Sequence, residues 1–192
     1  MIELQRGDEM ALAREDGSPL GKLTMGLGWD KKSGAGALSG ANTPDVDLDA
    51  SALQYAGDQL FDLAFFNHLD TRDGAVKHLG DNISGRGEGD DEQISIDLAA
   101  VYPRVDTMLF LVSSYQGHSL EFVHNAYCRL VDEEDEEIAR FTLTQGVPRT
   151  GFMLAKMFRD PDIPDGWRLR AIGQGIAVTV PTESLDVLQR FV

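Results

Sequence analysis

The sequence predicts a mainly β protein: a β-sandwich of two mixed or antiparallel sheets, closed by a short C-terminal helix. Three observations carry this prediction. Short segments alternate in polarity with period two, as in Ile94, Ile96 and Leu98 against Ser95 and Asp97, or Trp167, Leu169 and Ala171 against Arg168 and Arg170. Glycine and Asp/Asn turn formers separate these segments throughout. At 192 residues and 42% apolar content, the chain is long enough to bury one core and too apolar to stay disordered.

The strand-like pieces run in order as 20–29, 46–53, 60–68, 92–101, 106–116, 122–132, 137–145, 150–160 and 167–176. They are rich in Val, Ile, Phe, Tyr and Thr, the residues that fit a pleated surface. Roughly nine or ten strands in one domain call for two packed sheets. The run Met108-Leu-Phe-Leu-Val112 is apolar throughout, as expected of a strand covered on both faces. Segment 120–130 reads equally well as helix or strand. Segment 31–44 is built from glycine, small residues and a proline, and is expected to be a flexible loop between strands. The tail Pro181-Thr-Glu-Ser-Leu-Asp-Val-Leu-Gln-Arg-Phe-Val192 opens with proline and repeats Leu185, Leu188 and Val192 at helical spacing, so a closing helix is expected over 181–192. No internal repeat or domain boundary is visible, and 1–192 reads as a single domain.

The charge balance narrows the partners. Seventeen basic residues stand against 32 acidic ones, for a net charge of −15. Such a chain repels nucleic-acid backbones and anionic membrane surfaces at long range, so no nucleic-acid partner is expected, membrane association is expected only indirectly, and small cations are the natural ligands. The single cysteine, Cys128, cannot form an internal disulfide, and the opening residues lack a basic-plus-apolar leader pattern. Both point to a cytoplasmic protein.

Two acidic segments stand out. In Asp45-Val-Asp-Leu-Asp49, strand geometry puts Asp45, Asp47 and Asp49 on one face and Val46 and Leu48 on the other. In Gly80-Asp-Asn-Ile-Ser-Gly-Arg-Gly-Glu-Gly-Asp-Asp-Glu92, five acids accompany four glycines. The glycines allow left-handed turns that aim carbonyl oxygens inward. Asp81, Asn82, Ser84, Glu88, Asp90, Asp91 and Glu92 add side-chain oxygens. Hard divalent ions take six to eight such oxygens, and Ca²⁺ accepts more carboxylates than Mg²⁺. Zinc and iron are disfavoured because neither segment holds Cys or His. Two carboxylates ~5 Å apart repel by about 3 kcal/mol at an effective dielectric near ~20, so several such pairs would rival a domain's stability unless a cation intervened. The spacing is not that of an EF-hand, since Ile83 and Arg86 occupy its third position and its glycine position. A cation cage and a solvated acidic loop are both open on these residues alone.

The ordered blocks 25–30, 46–53, 65–98, 125–132, 137–143 and 171–175 closely resemble the bacterial tellurium-resistance stress proteins of the TerD domain type. The resemblance implies a β-sandwich that binds calcium through its acidic loops, with no established catalysis and a role in the response to tellurite and other stresses. It implies metal ligation by Asp47, Asp49, Asp81, Asn82, Gly85, Gly87, Glu88, Asp90, Asp91 and Glu92, with Asp30 close to the same region. Arg86 departs from the family, which often carries a further acid there. The 31–44 segment also departs from the shorter, more charged linker of the family.

The other conspicuous residues have plainer explanations. Asp132–Glu137 is six acids in a row without glycine, expected as a solvated hairpin turn. Cys128 lies in an apolar strand and reads as a buried inert thiol. Trp29 and Trp167 read as core anchors. His78, two residues before the acidic loop, is suited to holding that loop by a hydrogen bond and not to ligating Ca²⁺. His68, His118 and His124 carry no assignment. Gly173-Gln-Gly175 reads as a backbone turn without a phosphate fingerprint.

The expected function is therefore a calcium-binding, non-catalytic stress-response protein holding two Ca²⁺ ions, a calcium-dependent scaffold or sensor for other stress-response proteins. Two alternatives are a metal-dependent hydrolase built on the acidic cluster and a calcium-dependent membrane-binding module.

Overall fold

A computed structural model describes residues 1–31, 47–80, 89–143 and 147–192, and within these the side chains of all but Asp30, Lys31 and His124. The expected flexible loop over 31–44 lies, beyond Lys31, outside the described residues. Twelve strands are described: β1 (Ile2–Glu3), β2 (Glu9–Ala11), β3 (Lys22–Lys31), β4 (Asp49–Ala56), β5 (Gln59–Ala64), β6 (Val76–His78), β7 (Glu92–Asp97), β8 (Thr107–Ser113), β9 (Val123–Asp132), β10 (Glu137–Thr142), β11 (Gly151–Arg159) and β12 (Trp167–Ile176).

They form two sheets of six strands, ordered β1-β10-β9-β3-β7-β6 and β2-β12-β11-β8-β4-β5. The first sheet is mixed, because β1 pairs parallel to β10. The second is antiparallel throughout. The sandwich expectation holds, and each of the nine strand-like pieces overlaps a strand. The three strands missed are β1, β2 and β6, two or three residues each, too short to show a period. Segment 120–130, ambiguous by pattern, is a single 3-10 turn at Leu120–Phe122 followed by strand β9.

The main core lies between the sheets. It takes Leu23, Met25, Leu27 and Trp29 from β3, Ile94 and Ile96 from β7, Ala50 and Ala52 from β4, and Met108, Phe110 and Val112 from β8. The second sheet is also covered on its outer face, where Leu53, Tyr55, Leu109, Leu111, Met153 and Ile176 pack under the C-terminal segment through Leu188. That double coverage is why Met108–Val112 of β8 reads as an unbroken apolar run and why β4 is buried on both faces. The closing segment is less regular than a single helix: a 3-10 turn at Pro181–Glu183, a four-residue helix α1 (Leu185–Leu188) and a 3-10 turn at Gln189–Phe191. Among the described residues no helix is long and apolar enough to cross a membrane.

Several local expectations are settled here. Trp29 and Trp167 are core residues, 3% and 1% exposed. Cys128 is buried, and its thiol pKa is pushed far up by burial and then by the Asp90 charge, so it stays protonated and unreactive. Residues 133–136 are exposed in the β9–β10 hairpin, where Asp132 Oδ1 accepts the N–H groups of Glu134 and Glu136 at 2.9 and 3.0 Å. Gly173 is not in a turn between strands. It sits inside β12 with φ of +59°, where the β11–β12 register shifts.

One half-buried polar knot ties the two sheets at the β5–β6 connection. Asp73 accepts from Gln54 Nε2 at 3.0 Å, Thr71 Oγ1 at 2.7 Å, Ala75 N–H at 3.0 Å and Tyr102 N–H at 3.0 Å. Partial burial opposes ionisation of this carboxyl, but these four donors overcome it and hold its pKa below the ordinary carboxylate value. A depressed native pKa stabilises the fold above the unfolded value of about 4 and loses that contribution as pH falls through the native value. Replacing Asp73→Asn should therefore flatten the acid limb of stability below pH ~4 while lowering stability at pH 7; urea denaturation from pH 2 to 7 measures both.

Candidate functional site

The site is built at one end of the sandwich, where β4 and β7 begin and β3, β6 and β8 end. Alternation along β7 turns Glu92, Ile94 and Ile96 inward, with Gln93 and Ser95 outward. The first inward position of that strand is thus an acid in an otherwise apolar column. The Glu92 side chain is closed to solvent. Its Oε2 accepts the backbone N–H of Ala50 at 2.6 Å, so a carboxylate grown from one sheet holds the backbone of the other. The same oxygen lies 3.4 Å from His78 Nε2. His78 Nδ1 accepts the N–H of Gly80 at 3.3 Å, which leaves the proton of a neutral ring on Nε2, facing Glu92. His78 therefore does support the start of the acidic loop, as its position suggested, and it also backs Glu92.

The neighbouring acids are held by backbone amides. Asp49, 5% exposed at the start of β4, accepts the N–H of Tyr115 at 3.1 Å. Asp91 Oδ2 accepts the N–H of Trp29 at 3.0 Å. Leu48, Ala50 and Ala52 face the main core while Leu53 and Tyr55 belong to the outer cluster, which puts Asp49 on the opposite face from Leu48, as the alternation predicted. Asp47 precedes the strand and is half-buried.

Asp90 is placed differently. It lies on the outer face of the first sheet, its side chain 1% exposed. Arg129 grips it with two parallel hydrogen bonds, Nε to Oδ1 at 2.8 Å and a terminal guanidinium nitrogen to Oδ2 at 3.0 Å. The Tyr127 hydroxyl, with one proton to give, lies 3.0 Å from the Gly89 carbonyl and 3.2 Å from Oδ1, and Gln93 Nε2 donates to Oδ2 at 3.2 Å. The hydrogen bond to Asp90 raises the Arg129 pKa, while burial and then the Asp90 charge raise that of Tyr127. Arg140 stacks over the Tyr127 ring at 4.3 Å and pairs with Glu137, which also reaches Arg129.

The structure thus brings Asp49, Asp91 and Glu92 to the joined strand ends, sends Asp90 to the outer face, and leaves Asp47 at the entry to β4. Asp81, Asn82, Gly85, Gly87 and Glu88 lie outside the described residues, as does the side chain of Asp30. Among the described residues no three His, Cys, Asp or Glu side chains gather tightly enough to hold an ion by themselves. The donor chemistry nonetheless fits a hard cation: oxygen acids, two of them buried, flanking the sequence segment with the most further oxygens. Sequence reasoning missed Arg129 and Tyr127. The available signal was Gly26 and Gly28 alternating with Met25 and Leu27, which strips the outer face of β3 of side chains and makes room for a neighbour.

Comparison with known proteins places the chain. The model of the TerD domain matches residues 1–182. The chain belongs to the TerD family. It is 37% identical over 177 residues to the tellurium resistance protein TerZ of Serratia marcescens, covering 90% of this chain and 89% of that one. It is 34% identical to the stress response protein SCP2 of Bacillus subtilis over 100% of its own length and 99% of the relative's. Among solved structures, a homologue of the telluride resistance protein TerD from Streptomyces coelicolor, SCO6318, superposes with a TM-score of 0.67 at 19% identity, covering 86% of this chain and 95% of the other. The unknown-function protein SAV2460 does so with 0.70 at 19% identity over 85% and 94%. The last two establish the fold, and the first two establish a tellurium-resistance and stress-response family for which no catalytic activity is named.

The Glu92 link gives a direct test in the metal-free TerD-family protein. Glu92→Ala leaves the buried Ala50 N–H without this acceptor and should lower stability by about 1–3 kcal/mol. Equilibrium urea denaturation in the presence of a chelator checks it.

Proposed function

We propose that this chain is a calcium-binding, non-catalytic stress protein whose ions couple the start of β4 to the 81–92 segment. The observation that carries this reading is Glu92, a carboxylate buried between the sheets and bonded across them, with buried Asp49 beside the same strand ends. Acids crowded at such a junction repel one another, and a divalent cation converts that repulsion into a cross-link. Asp47, Asp49, Asp91 and Glu92 would supply carboxylates from the described part, and Asp81, Asn82, Glu88 and the carbonyls of Gly85 and Gly87 would complete a set large enough for two ions. What calcium supplies is positive charge and a fixed geometry, so that binding free energy becomes folding free energy.

The names of the relatives support a role in stress and tellurite resistance for this chain. Its one thiol is buried and protonated, which argues against direct chemistry on tellurium and for an indirect role. His78 is enclosed behind Glu92, so it serves as a support and not as a base meeting a substrate. An ordered, calcium-loaded loop face would then dock other stress-response proteins, making the domain a calcium-dependent scaffold or sensor.

At a calcium concentration about a hundredfold above Kd, linkage adds about 2.7 kcal/mol for the first ion alone. For a chain of this size that raises Tm by roughly 5–11 °C. Thermal melts in calcium, in magnesium and in chelator should show that rise in calcium alone, reduced in Asp49→Asn; superimposable calcium and chelator curves would sink the reading.

A further inference from the structure

We propose that Arg129 is a positioning residue for the cation site, and that Asp90 is the anchor it grips and not a ligand. The proposal rests on the calcium reading above and refines which of its acids meet the ion. Three observations carry it. First, both oxygens of Asp90 are already gripped. Of the roughly four lone-pair directions of a carboxylate, Arg129 Nε, the Arg129 terminal nitrogen and Gln93 Nε2 take three at 2.8, 3.0 and 3.2 Å, and Tyr127 Oη lies 3.2 Å from Oδ1 with its one proton shared with the Gly89 carbonyl at 3.0 Å. A bidentate arginine is the strongest of the ordinary partners for a carboxylate, and a cation would have to displace it.

Second, the backbone is built to receive this clasp. A Cβ on Gly26 would fall inside the Asp90 carboxylate, and one on Gly28 would lie 2.5 Å from Tyr127 Cζ. Both glycines are on β3, so the outer face of that strand is cleared for the pair. Third, the clasp lies where side-chain alternation is reset. Simple alternation would put Asp90 and Glu92 on one face. Instead, Asp91 N–H donates to the Leu27 carbonyl at 2.8 Å while Leu27 is registered against Glu92, so two successive residues address one position of β3. Such a bulge re-aims the side chains that follow it. With Asp90 fixed outward, Asp91 is delivered to the Trp29 N–H and Glu92 to the Ala50 N–H. Supporting residues of this kind set the affinity of a metal site without touching the ion, typically by ~10–100-fold.

The test uses the full chain with Arg129→Gln, Arg129→Lys, Asp90→Asn and the double variant Asp90→Asn/Arg129→Gln. Two readouts are taken: amide exchange of Trp29 and Ala50 by NMR in metal-free protein, and calorimetric titration with calcium chloride. Arg129→Gln and Asp90→Asn are expected to lose protection at both amides equally, to weaken calcium about tenfold each, and to show no further loss when combined. Arg129→Lys, which keeps the charge but loses the fork, is expected to fall between. It also carries the test if Arg129→Gln does not fold. Unchanged protection of Trp29 and Ala50 in the Arg129 variants overturns the positioning role whatever calcium does. Abolished binding in Asp90→Asn alongside wild-type affinity in Arg129→Gln overturns the anchor assignment and makes Asp90 a ligand. Wild-type protein that takes up no calcium overturns the cation reading, and does so independently of the exchange data.

Discussion

A carboxylate closed off between two β-sheets is the constraint on which this end of the molecule depends. Glu92 grows from β7 and ends on the backbone of β4, so neither sheet can slide or splay without leaving a buried charge and a buried amide exposed to each other's loss. Everything nearby serves that group. His78 backs the same oxygen, Gly80 fixes the tautomer of His78, and Asp49 and Asp91 take up the amides at the neighbouring strand ends. The sandwich core is apolar and would hold two sheets together in many registers. The carboxylate with its amide specifies one of them.

The three consecutive acids at 90–92 show how one charge run can serve three purposes. Asp90 is neutralised by an arginine on the outside of the sheet. Asp91 caps the exit of β3 through the Trp29 amide, and Glu92 enters the interior. Their separation depends on a backbone irregularity at the start of β7 and on two glycines in β3 that leave the outer face bare. Within the calcium reading, this division explains why such a dense acidic run can sit at the edge of a stable core: Asp90 is paired with an arginine, and Asp91 and Glu92 hold backbone amides at strand ends that a cation would join.

Composition, alternation and turn residues determined the mainly β class, the two-layer arrangement, the doubly covered β8 and the inert fate of Cys128. These are local or statistical properties, fixed by which residues recur at which spacing. The order of the strands was not legible, because register between distant segments leaves no local mark, and β1, β2 and β6 are too short to carry a period. The acids of the site were legible as a set, since hard-cation chemistry selects residue types. Their directions were not. Alternation correctly separates Asp49 from Leu48, yet it puts Asp90 and Glu92 on one face, and only the bulge at Asp91 sends them apart. The partner that captures Asp90 lies 39 residues away on β9. A long-range contact of that kind exists only once the sheet has formed, which is why tertiary structure alone decided which acid pairs with the arginine.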